Sequence, residues 1–86
     1  MTGQHEEAVA TFKKQLQLYG ADHLFAHLGL AVSYVWMGRE KEARLEGAEI
    51  LRIDPKFTLE RFMKGYARDQ LTKDRIAEAL LKAGLK

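Results

Sequence analysis

Apolar side chains recur along the chain at the three- and four-residue spacing of helices, and no stretch alternates as a strand does. This pattern predicts five helices. The first three span about 4–18, 23–37 and 40–53. The fourth starts after Thr58, its predicted N-cap, and the fifth follows Thr72. The first four are joined by short loops, which place helices antiparallel to their neighbours. The predicted fold is therefore all-α, an antiparallel stack of helical hairpins.

Capping residues and helix breakers mark the predicted ends. Asp22 is the predicted N-cap of the second helix, and Gly38 its stop. Pro55 forbids continuation of the third helix, since it lacks the N–H that a helix interior needs. Gly84 followed by Leu85 predicts a Schellman-type end for the fifth helix.

The second predicted helix lies in "LFAHLGLAVSYVWMG", Leu24 to Gly38, which contains no charged side chain. A helix that is apolar on nearly every face is buried on all sides or spans a membrane. This stretch is shorter than the roughly 20 residues that cross a bilayer. The polar, acidic N-terminal segment also lacks the pattern of a signal peptide. We therefore expect a cytoplasmic protein without membrane contact, in which other helices or a partner cover this helix.

The first and third helices repeat each other with a shift of 35 residues. "GQHEEAVATFKKQLQLYG" aligns with "GREKEARLEGAEILRIDP", so that Gly3 falls on Gly38 and Ala8 on Ala43. A period in the thirties is typical of a solenoid built from helix pairs.

Residues 24–57 resemble one tetratricopeptide repeat (TPR), whose pattern is W-x2-L-G-x2-Y, then A-x3-F, then P. The matching positions are Leu30, Ala31, Tyr34, Ala43 and Pro55. His27 at the tryptophan position and Gly47 at the phenylalanine position depart from it. The first helix, through Ala8 and Phe12, resembles the second half of a preceding repeat.

The resemblance implies a single TPR-like domain over 1–86. Its repeat-packing residues would be Ala8, Phe12, Leu30, Ala31, Tyr34, Ala43 and Pro55. It would comprise a half repeat (3–20), a full repeat (24–57) and C-terminal capping helices (58–86). The last segment is similar to the ends of such arrays in bacterial multidomain proteins.

The resemblance also implies a binding face on the second helix. In TPR proteins positions 2, 5, 9, 12 and 13 of the repeat line a concave groove. Here they are Phe25, Leu28, Val32, Val35 and Trp36. All five are apolar, and the lysines and asparagines with which some TPR proteins bind acidic peptide C-termini are absent from this helix. An exposed apolar patch marks a binding surface.

We therefore expect a non-catalytic interaction or scaffold module. It would bind a protein or peptide through this face, or self-associate as a homodimer. The alternative is that the fifth helix covers the face within one chain.

Charge is distributed unevenly. Residues 1–55 carry 6 Lys/Arg and 8 Asp/Glu, whereas residues 56–86 carry 8 and 4, a net charge of +4. The basic C-terminal third suggests a second hypothesis, binding of nucleic acid or of an acidic partner. Phe62 and Tyr66 interrupt the basic residues, but both fall on the apolar stripe of the fourth helix. Core aromatics cannot stack on bases, which argues against nucleic acid.

Candidate chemistry is sparse. The chain has no cysteine, which excludes disulfides and zinc–thiolate sites. His5 begins a sequence like H-E-x-x-H, but Val9 stands where the second histidine belongs. His23 and His27 are four residues apart and could share a metal, yet apolar neighbours favour a capping His23 and a packed His27. Ser33, the only serine, has no base nearby. We expect no metal, no cofactor and no enzymatic activity.

Overall fold

The structure, a computed structural model, describes residues 2–66 and 69–86. These residues form five α-helices joined by loops. They are α1 (Thr2–Tyr19), α2 (Leu24–Trp36), α3 (Glu40–Ile53), α4 (Leu59–Lys64) and α5 (Gln70–Lys82). The all-α prediction is confirmed, and the predicted bounds of α3 agree with the structure. Over these two ranges, no helix has both the length and the apolar character needed to cross a membrane.

The predicted glycine stops are confirmed. Gly38 (φ 77°) and Gly84 (φ 95°) both adopt the left-handed conformation that favours glycine. After α5, the Gly84 N–H donates to the Leu81 carbonyl (3.0 Å) and the Leu85 N–H to the Leu80 carbonyl (3.1 Å). This pair of bonds is the Schellman motif, which satisfies carbonyls that the helix end leaves free.

The N-caps confirm one prediction and correct another. Thr58 caps α4, because its Oγ1 accepts from the Arg61 N–H at 3.2 Å. The prediction of Asp22 as the cap of α2 is wrong. His23 holds that position, and its Nδ1 accepts from the Ala26 N–H at 3.2 Å.

The start of α5 is also corrected. The sequence pattern placed it after Thr72, but the helix begins at Gln70 and its N-cap is Asp69. The Asp69 carboxylate accepts from both the backbone N–H (3.1 Å) and the hydroxyl (2.7 Å) of Thr72. A carboxylate also interacts favourably with the positive end of the helix dipole. Asp69 therefore serves as the N-cap, and Thr72 lies in the first turn of α5.

The apolar helix α2 lies at the centre of the fold, and α1, α3 and α5 pack around it. It runs antiparallel to α1, since the His5 ring lies 5.6 Å from the Trp36 ring at one end and Phe12 contacts Gly29 further along. The helices around α2 therefore cover most of its faces within one chain.

Most of the residues assigned to repeat packing lie in the core. Leu30, Ala31, Tyr34 and Ala43 are at most 4 % exposed. Ala8 and Phe12 are half-buried, and Pro55 is exposed in the turn after α3.

The departure from the repeat pattern at Gly47 has a structural cause. The carbonyl oxygen of Ala83, at the end of α5, occupies the place that a Cβ on Gly47 would take. The missing side chain allows the last turn of α5 to lie directly on α3.

Candidate functional site

An apolar groove of about 420 Å³ opens on the surface between α1 on one side and α4 and α5 on the other. The central helix α2 forms its floor. Its lining residues are His5, Ala8, Phe12, Phe25, Leu28, Gly29, Val32, Ser33, Trp36, Phe62, Tyr66, Ile76 and Leu80. The floor extends along α2 from Phe25 to Trp36, eleven residue steps or about 16 Å at the rise of an α-helix. We refer to this feature as the groove.

The groove contains four of the five predicted binding residues. Leu28 and Val32 are 5 % and 8 % exposed, so they belong to the core as well as to the floor. Phe25 and Trp36 are 66 % and 46 % exposed, at the two ends. Val35 does not line the groove and packs half-buried against the core. Leu28 and Val32 are therefore covered by other helices of the same chain, whereas the side chains of Phe25 and Trp36 stay exposed.

Two walls of the groove come from helices outside α2. On α1, Ala8 and Phe12 are four residues apart and share a face. On α5, Ile76 and Leu80 do the same. The sequence shows that each helix has an apolar stripe. The spacing within a stripe does not predict that the stripes of α1 and α5 border the same face of α2. The wall residues were therefore missed as parts of a site.

Two aromatic rings from α4 and the turn after it also line the groove. The rings of Phe62 and Tyr66 stack at 5.3 Å with an angle of 25° between their planes. Both side chains are half-buried, and both line the groove. Phe62 packs against the core, as predicted. The placement of Tyr66 on the apolar stripe of the fourth helix is wrong, because α4 ends at Lys64 with Gly65 as its C-cap, and Tyr66 instead stacks on Phe62.

A polar depression adjoins the groove at its Trp36 end. His5 and Trp36 also line an adjoining depression with Arg75 and Glu78 of α5. Glu78 lies 3.9 Å from the Lys82 ammonium. Arg75 has no ion pair within the described parts of the chain, so a free cation lies at this end of an apolar cleft.

The two histidines considered as metal ligands have structural roles. His23 caps α2, and His27 is 5 % exposed with both ring nitrogens engaged. Its Nδ1 lies 2.6 Å from a Glu46 carboxylate oxygen, and its Nε2 lies 2.6 Å from the Ala21 carbonyl oxygen. Across residues 2–66 and 69–86, no three His, Asp or Glu side chains form a group that could hold a metal ion.

The surroundings of His27 favour its charged form. A carbonyl and a carboxylate only accept hydrogen bonds, so both ring nitrogens must donate, which makes the ring an imidazolium. Burial opposes this charge and lowers the pKa. The hydrogen bonds to Glu46 and Ala21 and the charges of Glu46 and Glu49 outweigh burial, so the pKa of His27 is raised above its usual 6.5.

This ion pair makes stability depend on pH. Because the folded-state pKa lies above that of the unfolded chain, protonated His27 stabilises the fold fully below about pH 6.5. The contribution is lost as the pH rises through the folded-state value. Urea midpoints measured from about pH 6 to pH 9 are expected to fall with pH, and Glu46→Gln is expected to flatten that slope. An equal slope in Glu46→Gln would contradict the assignment.

No family model, curated protein or solved structure matches this chain. The groove is therefore the feature from which a function can be inferred.

Proposed function

We propose that this chain is a non-catalytic protein-interaction module, a TPR-like helical scaffold that binds an apolar segment of a partner protein in the groove. One observation carries the proposal: the groove is apolar along its length, and the exposed aromatic residues Phe25 and Trp36 stand at its two ends. Aromatic side chains at the rim of an apolar cleft are typical anchors of protein interfaces.

The shape of the groove favours a helical segment as the occupant. Its length of about 16 Å matches three turns of helix. A volume of about 420 Å³ is too small for a whole helix but accepts a row of apolar side chains from one. An amphipathic helix presents such a row at positions i, i+4 and i+7.

Homodimerisation through this face, the other form of the sequence-based hypothesis, is less well supported by the geometry. A two-fold dimer brings the same patch of both copies together, and two facing concavities leave a void. A stable dimer also buries about 800 Å² per partner. That is about one seventh of the 5884 Å² surface of this chain. A convex partner segment fits the groove better than a second groove does.

The proposal is tested with a matched pair of substitutions. Phe25 (66 % exposed) lines the groove, whereas Leu45 (62 % exposed) lies on α3 outside it. We expect Phe25→Glu to weaken binding of an amphipathic peptide of about 16 residues, with leucines at helical spacing and glutamines elsewhere, by at least about tenfold. Leu45→Glu is expected to leave its affinity unchanged. Both affinities are measured by calorimetry.

Equal loss in both variants, or no loss in either, would show that the groove is not the binding surface. Circular dichroism of both variants serves as the control for folding, and both are expected to match the parent chain because the replaced side chains are mostly exposed.

A further inference from the structure

The two long sides of the groove differ in charge. On the α1 side, the groove-lining residues are His5, Ala8 and Phe12, and the helix carries two glutamates and two lysines, a net charge of zero. The α4–α5 side belongs to the segment 56–86, which carries eight Lys/Arg against four Asp/Glu. The residues that line the groove include no Lys, Arg, Asp or Glu. The charged residues in the two depressions that share lining residues with it are Arg75 with Glu78 and Arg61 with Asp54.

Two arginines stand close to the groove on that basic side. Arg75 shares the polar depression with Trp36 and His5, which also line the groove. Arg61 lines a second depression with Asp54 and with Phe62, which also lines the groove. One of its guanidinium N–H groups donates to the Lys56 carbonyl at 3.3 Å. Both guanidinium groups are exposed, so each can still bind a carboxylate, for which its planar donor geometry is well suited.

We infer that the occupant of the groove is an acidic amphipathic helix. Its apolar stripe lies on the floor formed by α2, and carboxylates beside the stripe pair with Arg75 and Arg61 on the α4–α5 side. The inference rests on the proposed function and adds the charge of the partner. It also joins the two sequence-based hypotheses, since the apolar face and the basic C-terminal third border the same groove.

The experiment uses Trp36, the only tryptophan in the chain, as the reporter. Its indole is 46 % exposed at the end of the groove, so an occupant that covers it shifts the emission to shorter wavelength. Three peptides share one leucine stripe and carry glutamate, glutamine or lysine beside it. We expect the glutamate peptide to bind about tenfold more tightly than the glutamine peptide at low salt, and the lysine peptide to bind most weakly. Molar salt is expected to remove most of this difference.

A charge reversal tests the arginine directly. Arg75→Glu is expected to cancel the preference for the glutamate peptide and leave the affinity for the glutamine peptide unchanged. Arg44→Glu, an exposed arginine on α3 outside the groove, is the matched control and is expected to keep the preference.

Each result separates the two proposals. Equal binding of all three peptides would overturn the acidic partner and leave groove binding intact. If none binds and light scattering shows a dimer whose Trp36 emission is already shifted, the occupant is a second copy, which overturns the inference. If none binds to a monomeric chain, both the inference and the proposed function fail.

Discussion

Replacing Leu80 with alanine is expected to lower the free energy of unfolding by about 3 kcal/mol, because the side chain is completely buried. Leu80 belongs to the core cluster and to the wall of the groove, so it links α5 to the central helix. In a chain of this size such a loss corresponds to a fall of roughly 15 °C in melting temperature. Urea titration followed by circular dichroism measures the change.

The neighbouring residue provides the control. Leu81 is 56 % exposed, and Leu81→Ala is expected to change the free energy of unfolding by less than about 0.5 kcal/mol. The pair removes the same atoms from adjacent positions of one helix. If both variants lose the same stability, α5 does not dock through the Leu80 face, and the groove lacks the wall described here.

Replacing Gly47 with alanine is expected to destabilise the fold by about 2 kcal/mol, although alanine is the better helix former by about 1 kcal/mol. The new methyl group would meet the carbonyl oxygen of Ala83, a backbone atom that cannot rotate away. Overpacking of this kind costs about 1–3 kcal/mol, toward the upper end where the obstacle is backbone. The chain can relieve the clash only by moving α5 away from α3.

Gly65→Ala is the matched control for this substitution. Gly65 has φ −92°, and the nearest atom to an added Cβ is the Phe62 carbonyl oxygen at 3.9 Å, an ordinary contact. We expect this variant to be as stable as the parent or slightly more stable. Thermal melts of the two variants are compared. A Gly47→Ala chain that is as stable as Gly65→Ala would contradict the direct contact between α3 and α5.

The fold could be predicted well because its signals are local. Helical spacing, the glycines at 38 and 84 and the Thr58 cap each act within a few residues, and all three agree with the structure. The errors are also local. The helices begin instead at the caps His23, one residue after Asp22, and Asp69, three residues before Thr72, and spacing alone does not decide which of two nearby capping side chains begins the helix.

The site was only partly predictable, since it depends on contacts between distant segments. The repeat register indicated the floor, and four of its five residues line the groove. The α4–α5 side depends on how α5 docks on α2 and α3, which the sequence signals only as an unexplained glycine at Gly47. Only the packed structure shows that Leu28 and Val32 are covered within the chain whereas Phe25 and Trp36 stay exposed.

The most direct test of the account is a map of amide chemical shifts of the labelled chain while the glutamate-flanked peptide is added. We expect the largest changes at residues that line the groove, above all Phe25, Gly29, Ser33 and Trp36 on α2 and Ile76 on α5. Chemical-shift changes confined to α3 around Leu45 would contradict binding in the groove and would place the binding surface on α3.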